Sequence, residues 1–177
     1  MAEDIATRLR RVVTANDADG KSFILLDGGP VAQGVLLDIW QEATTGALDS
    51  TAQEDLRPTR VTMALPSNNM KVRWVRLTPP PEGVSPEALR TATRARFAEL
   101  DGLDHLADQS RHPGMHKTAT LDVICVLEGE ILLTMDKGET RLKPGDVVIQ
   151  RGTSHGWTPI GGPALMLAVM IERPLKK

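Results

Sequence analysis

The chain has 177 residues, 41% hydrophobic and 25% charged, the make-up of a globular domain large enough to bury a core. A net charge of −2, 3% aromatic residues and no tyrosine argue against nucleic-acid or anionic-membrane partners. One cysteine excludes an intrachain disulfide framework, the charged start MAEDIATRLRR is not a signal peptide, and no apolar run reaches bilayer length, so a cytoplasmic location is expected.

Arg11-Val12-Val13-Thr14 is β-prone and stops at Asn16-Asp17-Ala18-Asp19-Gly20, a hairpin-type turn signal. Residues 22–26 give a second strand, ended by Asp27-Gly28-Gly29-Pro30, and residues 35–40 suit a third. Residues 41–66, rich in Thr, Ser, Ala, Asp and Glu, form a surface excursion. Residues 72–77 alternate apolar with basic, the pattern of a half-exposed strand with Arg73 and Arg76 on its solvated face; Pro79-Pro80-Pro81 stops it. Ser85-Pro86-Glu87 then caps a helix over 88–100, which Asp101-Gly102 ends. Residues 104–113 are irregular.

From residue 115 onward, short strands alternate with Gly and Pro turns, the pattern of an all-β sandwich or barrel. Residues 121–128 form one strand, Gly129 permits a tight bend, and residues 130–135 return. Residues 147–150 and 164–172 supply later strands, with His155-Gly156-Trp157 between them. His116, Thr118, Thr120, Asp122 and Ile124 share parity, so an extended backbone points them to one face. Polar groups inside a barrel cost free energy unless they are paired or bound, so this row marks a site. With His155 from a later turn, two imidazoles and a carboxylate match a face of a non-haem iron site or another divalent-ion site.

These residues resemble the cupin superfamily. His116-Lys117-Thr118, then Asp122, then Gly129 occupy the places of the family's first motif, Gly-x5-His-x-His-x3-Glu-x6-Gly. Thr118 stands where the family has its second histidine, and Asp122 replaces a glutamate. Gly152 and His155 keep the end of the second motif, with Gln150 in place of its proline; the run from Gly145 to Gly152 is one residue short. More narrowly, His-x-Thr-x-Thr-x-Asp with Pro-Gly-Asp-Val-Val-x-Gln-Arg-Gly-Thr-x-His-x-Trp looks like a subgroup of small bacterial and fungal cupins, and the early Arg-Arg-Val-Val-Thr segment is similar to theirs. The resemblance implies an all-β cupin jelly-roll barrel over 115–171, with N-terminal strands and arm over 1–84 and one short helix over 85–101, in a single domain of 1–177.

It also implies a small-molecule cupin, expected to be a divalent-metal enzyme (Fe, Mn, Zn or Ni) of oxygenase, isomerase, decarboxylase or lyase type on an oxygen-rich substrate. His116, Asp122 and His155 would be catalytic residues and metal ligands, with Thr118 assisting through a water. Arg151 would partner Asp122, bind a substrate carboxylate or lie in a surface salt bridge. The other reading is a metal-free pocket in which His155 and Asp122 act as acid and base or only bind a ligand. Cys125, of opposite parity, is expected to be a buried structural thiol, His105 and His112 to be solvated, and Trp74 and Trp157 to pack. Exposed-looking apolar residues at Val12, Val13 and 23–26 suggest edge-to-edge pairing into a homodimer.

Overall fold

The computed structural model describes residues 9–29 and 34–176. Its elements are β1 (Arg11–Asn16), β2 (Ser22–Gly28), β3 (Leu36–Ala43), β4 (Asn69–Leu77), α1 (Pro86–Glu99), a 3-10 turn (Leu103–His105), β5 (Thr120–Met135), β6 (Glu139–Leu142), β7 (Val147–Arg151) and β8 (His155–Glu172). Among the described residues the fold is mainly β, with α1 as its α-helix, consistent with a jelly-roll barrel. Pro30, which closes the turn expected after β2, lies outside the described residues.

β1 and β2 form their own antiparallel hairpin. The remaining strands run β3-β4-β8-β5-β6, with β7 also on β5. β8 follows one edge of β5 for nearly its whole length, while β7 and β6 share the other edge.

One expectation needs correcting. Residues 121–128 and 130–135 are a single strand, and Gly129 does not reverse the chain. It sits in an irregularity of the β5–β8 pairing between Val126 and Glu130. Its φ is +73°, and a Cβ there would lie 2.5 Å from the Pro163 carbonyl oxygen, so only glycine fits. The extra residues change which side chains face inward. Before the bulge the inward set is even, Ile124 and Val126; after it the set is odd, Ile131 and Leu133. Residues 155–172 are likewise one strand, and β8 adds Ala164, Met166, Ala168 and Met170 to this core. A second cluster, Leu37, Ile39, Trp74 and Leu165, lies at β3, β4 and β8.

The half-exposed face expected for residues 72–77 is not there: β4 is covered on both faces, with Arg73 buried on one and Trp74 on the other. β4 is interior to the sheet, between β3 and β8, and Lys71 and Arg73 are buried while Trp74 packs in the second cluster. The expected solvated Arg73 is therefore 3% exposed. Ser85 caps α1 as expected, its hydroxyl accepting from Ala88 N at 3.1 Å. Phe97 is the buried residue of that helix.

Candidate active site

The irregular segment before β5 carries His116 into contact with β8. His116 and His155 exchange both backbone hydrogen bonds, N to O at 3.0 Å each way. This pairing places the two imidazole centroids 4.3 Å apart. Phe97 of α1 stands edge-on to His116 at 5.2 Å, and Trp157 stands edge-on to His155 at 5.3 Å.

The tautomers follow from the partners. Nδ1 of His116 is 2.8 Å from the Gly114 carbonyl, and Nδ1 of His155 is 2.9 Å from the Thr153 carbonyl. A carbonyl only accepts, so each Nδ1 carries the proton and each neutral ring keeps its lone pair on Nε2. Both rings favour the neutral form. Burial, reinforced by the neighbouring His155, pushes His116 down to about 3, and burial lowers His155.

Both histidines line a cavity of about 540 Å³, in the size range of small-molecule sites. Leu89, Ala92, Thr93, Arg96 and Phe97, on one face of α1, form one wall with Leu100 at the helix C-cap. Thr118, Asp122 and Ile124 form part of another, as their shared parity requires. Thr118 and Thr120 hydroxyls are 2.7 Å apart, and the Thr120 hydroxyl bonds the Asp122 carboxylate. Thr120 has one proton to give; when Asp122 is ionised that proton goes to Asp122, so Thr118 must donate to Thr120. Burial pushes Asp122 up to about 6, against the opposing pull of Thr120 and of the Arg73 charge. Its Oδ1 is buried with no hydrogen-bond partner.

Arg73 belongs to a buried ion cluster beside this wall. Lys71 Nζ lies 3.1 Å from Asp38 Oδ2, and Arg73 Nε lies 2.8 Å from Asp38 Oδ1. The Nε contact is close but misaligned, an ion pair that leaves both atoms without a hydrogen bond. The Arg73 terminal nitrogen reaches Asp38 Oδ2 at 3.2 Å and the Thr62 carbonyl at 2.7 Å.

Of the residues singled out from sequence, His116, His155, Asp122 and Thr118 meet at one cavity. Arg151 does not line it; it is exposed at the end of β7. Among the described residues, no group of three or more His, Cys, Asp or Glu side chains is arranged to hold a metal ion. The paired imidazoles offer two nitrogens with lone pairs, and Asp122 does not complete a cluster with them, so the donor set does not fit a three-ligand metal site as it stands. His112, expected in solvent, also lines the cavity, packed so closely on Gly156 that a Cβ there would meet its ring at 2.5 Å. Trp157 lines the cavity as well, while Trp74 packs in the second core cluster. Cys125 is half-buried and free, rather than fully buried. The α1 wall went unrecognised in the sequence, although Leu89, Ala92, Thr93, Arg96, Phe97 and Leu100 follow helical spacing.

Cupin-domain-containing oxidoreductase virC of Hypocrea virens is 40% identical over 63 residues, 33% of this chain and 32% of the relative. Cupin-domain-containing oxidoreductase srdB of Neurospora crassa is 43% identical over 65 residues, 34% of this chain and 33% of the relative. These matches, joined to the barrel and its motif residues, support a cupin superfamily assignment. Phomopsin biosynthesis cluster protein C' of Diaporthe leptostromiformis is 57% identical over 44 residues, 24% of this chain and 23% of the relative. The chain thus spans only about a quarter to a third of the length of these curated relatives. No family model matches the chain. A Cupin 2 conserved barrel domain protein from Salinispora arenicola overlays 58% of this chain and 63% of its own at 16% identity and a TM-score of 0.35, and nothing here rests on that likeness. Among the described residues, no helix is long and apolar enough to cross a membrane.

Proposed function

We propose that this small-molecule cupin is an enzyme of isomerase or lyase type, moving a proton on a small carbonyl or hydroxyl compound held in the barrel cavity. The observation that carries the reading is the histidine pair: both Nδ1–H groups are bound to backbone carbonyls, so both Nε2 lone pairs remain for a ligand. A substrate hydroxyl would donate to that nitrogen pair. Asp122, poised near neutral pH by burial, would take the proton from the hydroxyl-bearing carbon and return it to the neighbouring carbonyl carbon, while the hydroxyl proton passes to the carbonyl oxygen. The Thr118–Thr120 hydroxyl chain would hold Asp122 in place and hydrogen-bond whichever charge form it has. Burial makes His116 a poor base, so its role is to accept a hydrogen bond and orient the substrate.

A second reading is a divalent metal on the two Nε2 atoms, favoured by the backbone carbonyls that fix both Nδ1–H groups, since ligating histidines are oriented in that way. The names of the relatives, oxidoreductases, lean toward it.

The test is wash-in of deuterium from D2O into small hydroxyketones and 2-oxo acids, followed by proton NMR with protein purified without chelator or metal-affinity steps. Proton transfer predicts wash-in that survives chelation and is lost in Asp122→Asn. Wash-in equal in wild type and Asp122→Asn, or none with any compound, overturns it. Stoichiometric metal in elemental analysis, with wash-in abolished by chelation, transfers the case to the second reading.

A further inference from the structure

Apart from its histidines and threonines, the cavity wall is apolar with a few charges, and those charges are unbalanced. Among the described residues, Arg73, Arg76 and Arg96 line it against one carboxylate, Asp122. Arg76 is already engaged by another group, and Arg96 is exposed on α1. Arg73 is different, being buried at the wall with a guanidinium that is always charged. Its counter-ion, Asp38, is shared with Lys71, so one carboxylate serves two cations. Its Nε lies 2.8 Å from Asp38 Oδ1 but is too misaligned to hydrogen-bond it, so the guanidinium is imperfectly paired. A buried donor left unmade costs free energy, and a guanidinium beside apolar surface gains most from an anionic acceptor. Arg73 already acts on Asp122 through space, so its charge is felt inside the cavity. On the other walls stand Leu89, Phe97, Ile124, Met166, Ala168 and Met170, suited to a hydrocarbon body.

We propose that the cavity selects amphipathic monoanions, an apolar chain or ring carrying one carboxylate, with the carboxylate held on the Arg73 side and the apolar body against α1 and β8. The inference rests on the reading of this cavity as the ligand site and names its substrate class. It departs from the oxygen-rich substrate that the sequence suggested, because the wall supplies hydrocarbon contacts around a few polar points.

Octanoate and 1-octanol make the test, since they share one hydrocarbon body and differ in the charged group. Isothermal titration of the full chain with each should show octanoate binding about tenfold tighter or more, the range expected for one charge-assisted hydrogen bond. The preference should shrink at high salt only slightly, because Arg73 is buried. Arg73→Gln should erase the preference while 1-octanol binding persists. If that variant does not fold by circular dichroism, Arg73→Lys, which keeps the charge but loses the fork, should reduce the preference. Equal affinity for the two compounds, or tighter 1-octanol, overturns the proposal and leaves the cavity a ligand site of another class. Binding of neither overturns the cavity reading itself. Octanoate preference without any deuterium wash-in keeps this proposal and removes the proton-transfer chemistry.

Discussion

His116 and His155 face each other across a two-residue bridge, their backbones bonded at 3.0 Å in both directions and their rings 4.3 Å apart. The pair is built into the main chain, since the backbone bridge itself brings the rings together. A substitution at either ring should therefore leave the strand pairing in place and change only what the cavity offers a ligand.

The histidines should make the protein acid-sensitive. His116 titrates near 3 when folded and near 6.5 when unfolded, so the unfolded chain holds the extra proton between those values. The stability it contributes is complete above about pH 6.5 and is lost as pH falls toward 3, each pH unit in that window being worth up to about 1.4 kcal/mol. His155 acts in the same direction. Asp122, raised to about 6, acts oppositely: its contribution is complete below the ordinary carboxylate value of 3.8 and is lost as pH rises through about 6. Urea melts across this range should show stability rising with pH, less steeply in His116→Gln and more steeply in Asp122→Asn.

Gly129→Ala should destabilise the fold by about 2 kcal/mol or more, because a Cβ meets the Pro163 carbonyl at 2.5 Å and φ is +73°. Gly138→Ala is the control. Its φ is also positive, at +83°, but nothing lies within 4 Å of the added carbon, so only the backbone penalty of about 1 kcal/mol remains. Denaturant midpoints of the two variants should separate accordingly.

Asp38→Ala should cost about 3–5 kcal/mol, since it leaves Lys71 and Arg73 buried without their shared carboxylate. Asp38→Ala combined with Lys71→Met and Arg73→Met should recover much of that loss, because no buried charge is then left unpaired. A thermal melt of the three-site variant no higher than that of Asp38→Ala alone contradicts the assignment of this cluster.

Val12 is 48% exposed and Ile24 61%, on the hairpin β1–β2 that pairs with no other described strand. A homodimer through this hairpin is the expectation carried from the sequence. Light scattering should give twice the chain mass, and Ile24→Lys should shift it toward monomer.

The sequence carried the barrel because its strands are short, punctuated and period-two, and those patterns are local. Parity put His116, Thr118 and Asp122 on one face, and all three line the cavity. Four features were not legible, and all are tertiary. Gly129 read as a turn because a bulge and a turn use the same residue, and only the partner strand β8 distinguishes them. Arg73 read as solvated because basic residues in a strand suggest one open face; β4 is covered on both faces, which only tertiary packing decides. The α1 wall and His112 were missed because nothing in the chain states which surface a lone helix or an irregular loop will cover.

The central claim is that two neutral imidazoles present bare Nε2 atoms to one cavity, and nitrogen NMR of the histidine rings in labelled protein at neutral pH tests it most directly. The account predicts that His116 and His155 both give the pattern of a neutral ring protonated at Nδ1, and that adding a cavity ligand moves both Nε2 signals. A charged ring, a ring protonated at Nε2, or Nε2 signals indifferent to the ligand at either residue would contradict it.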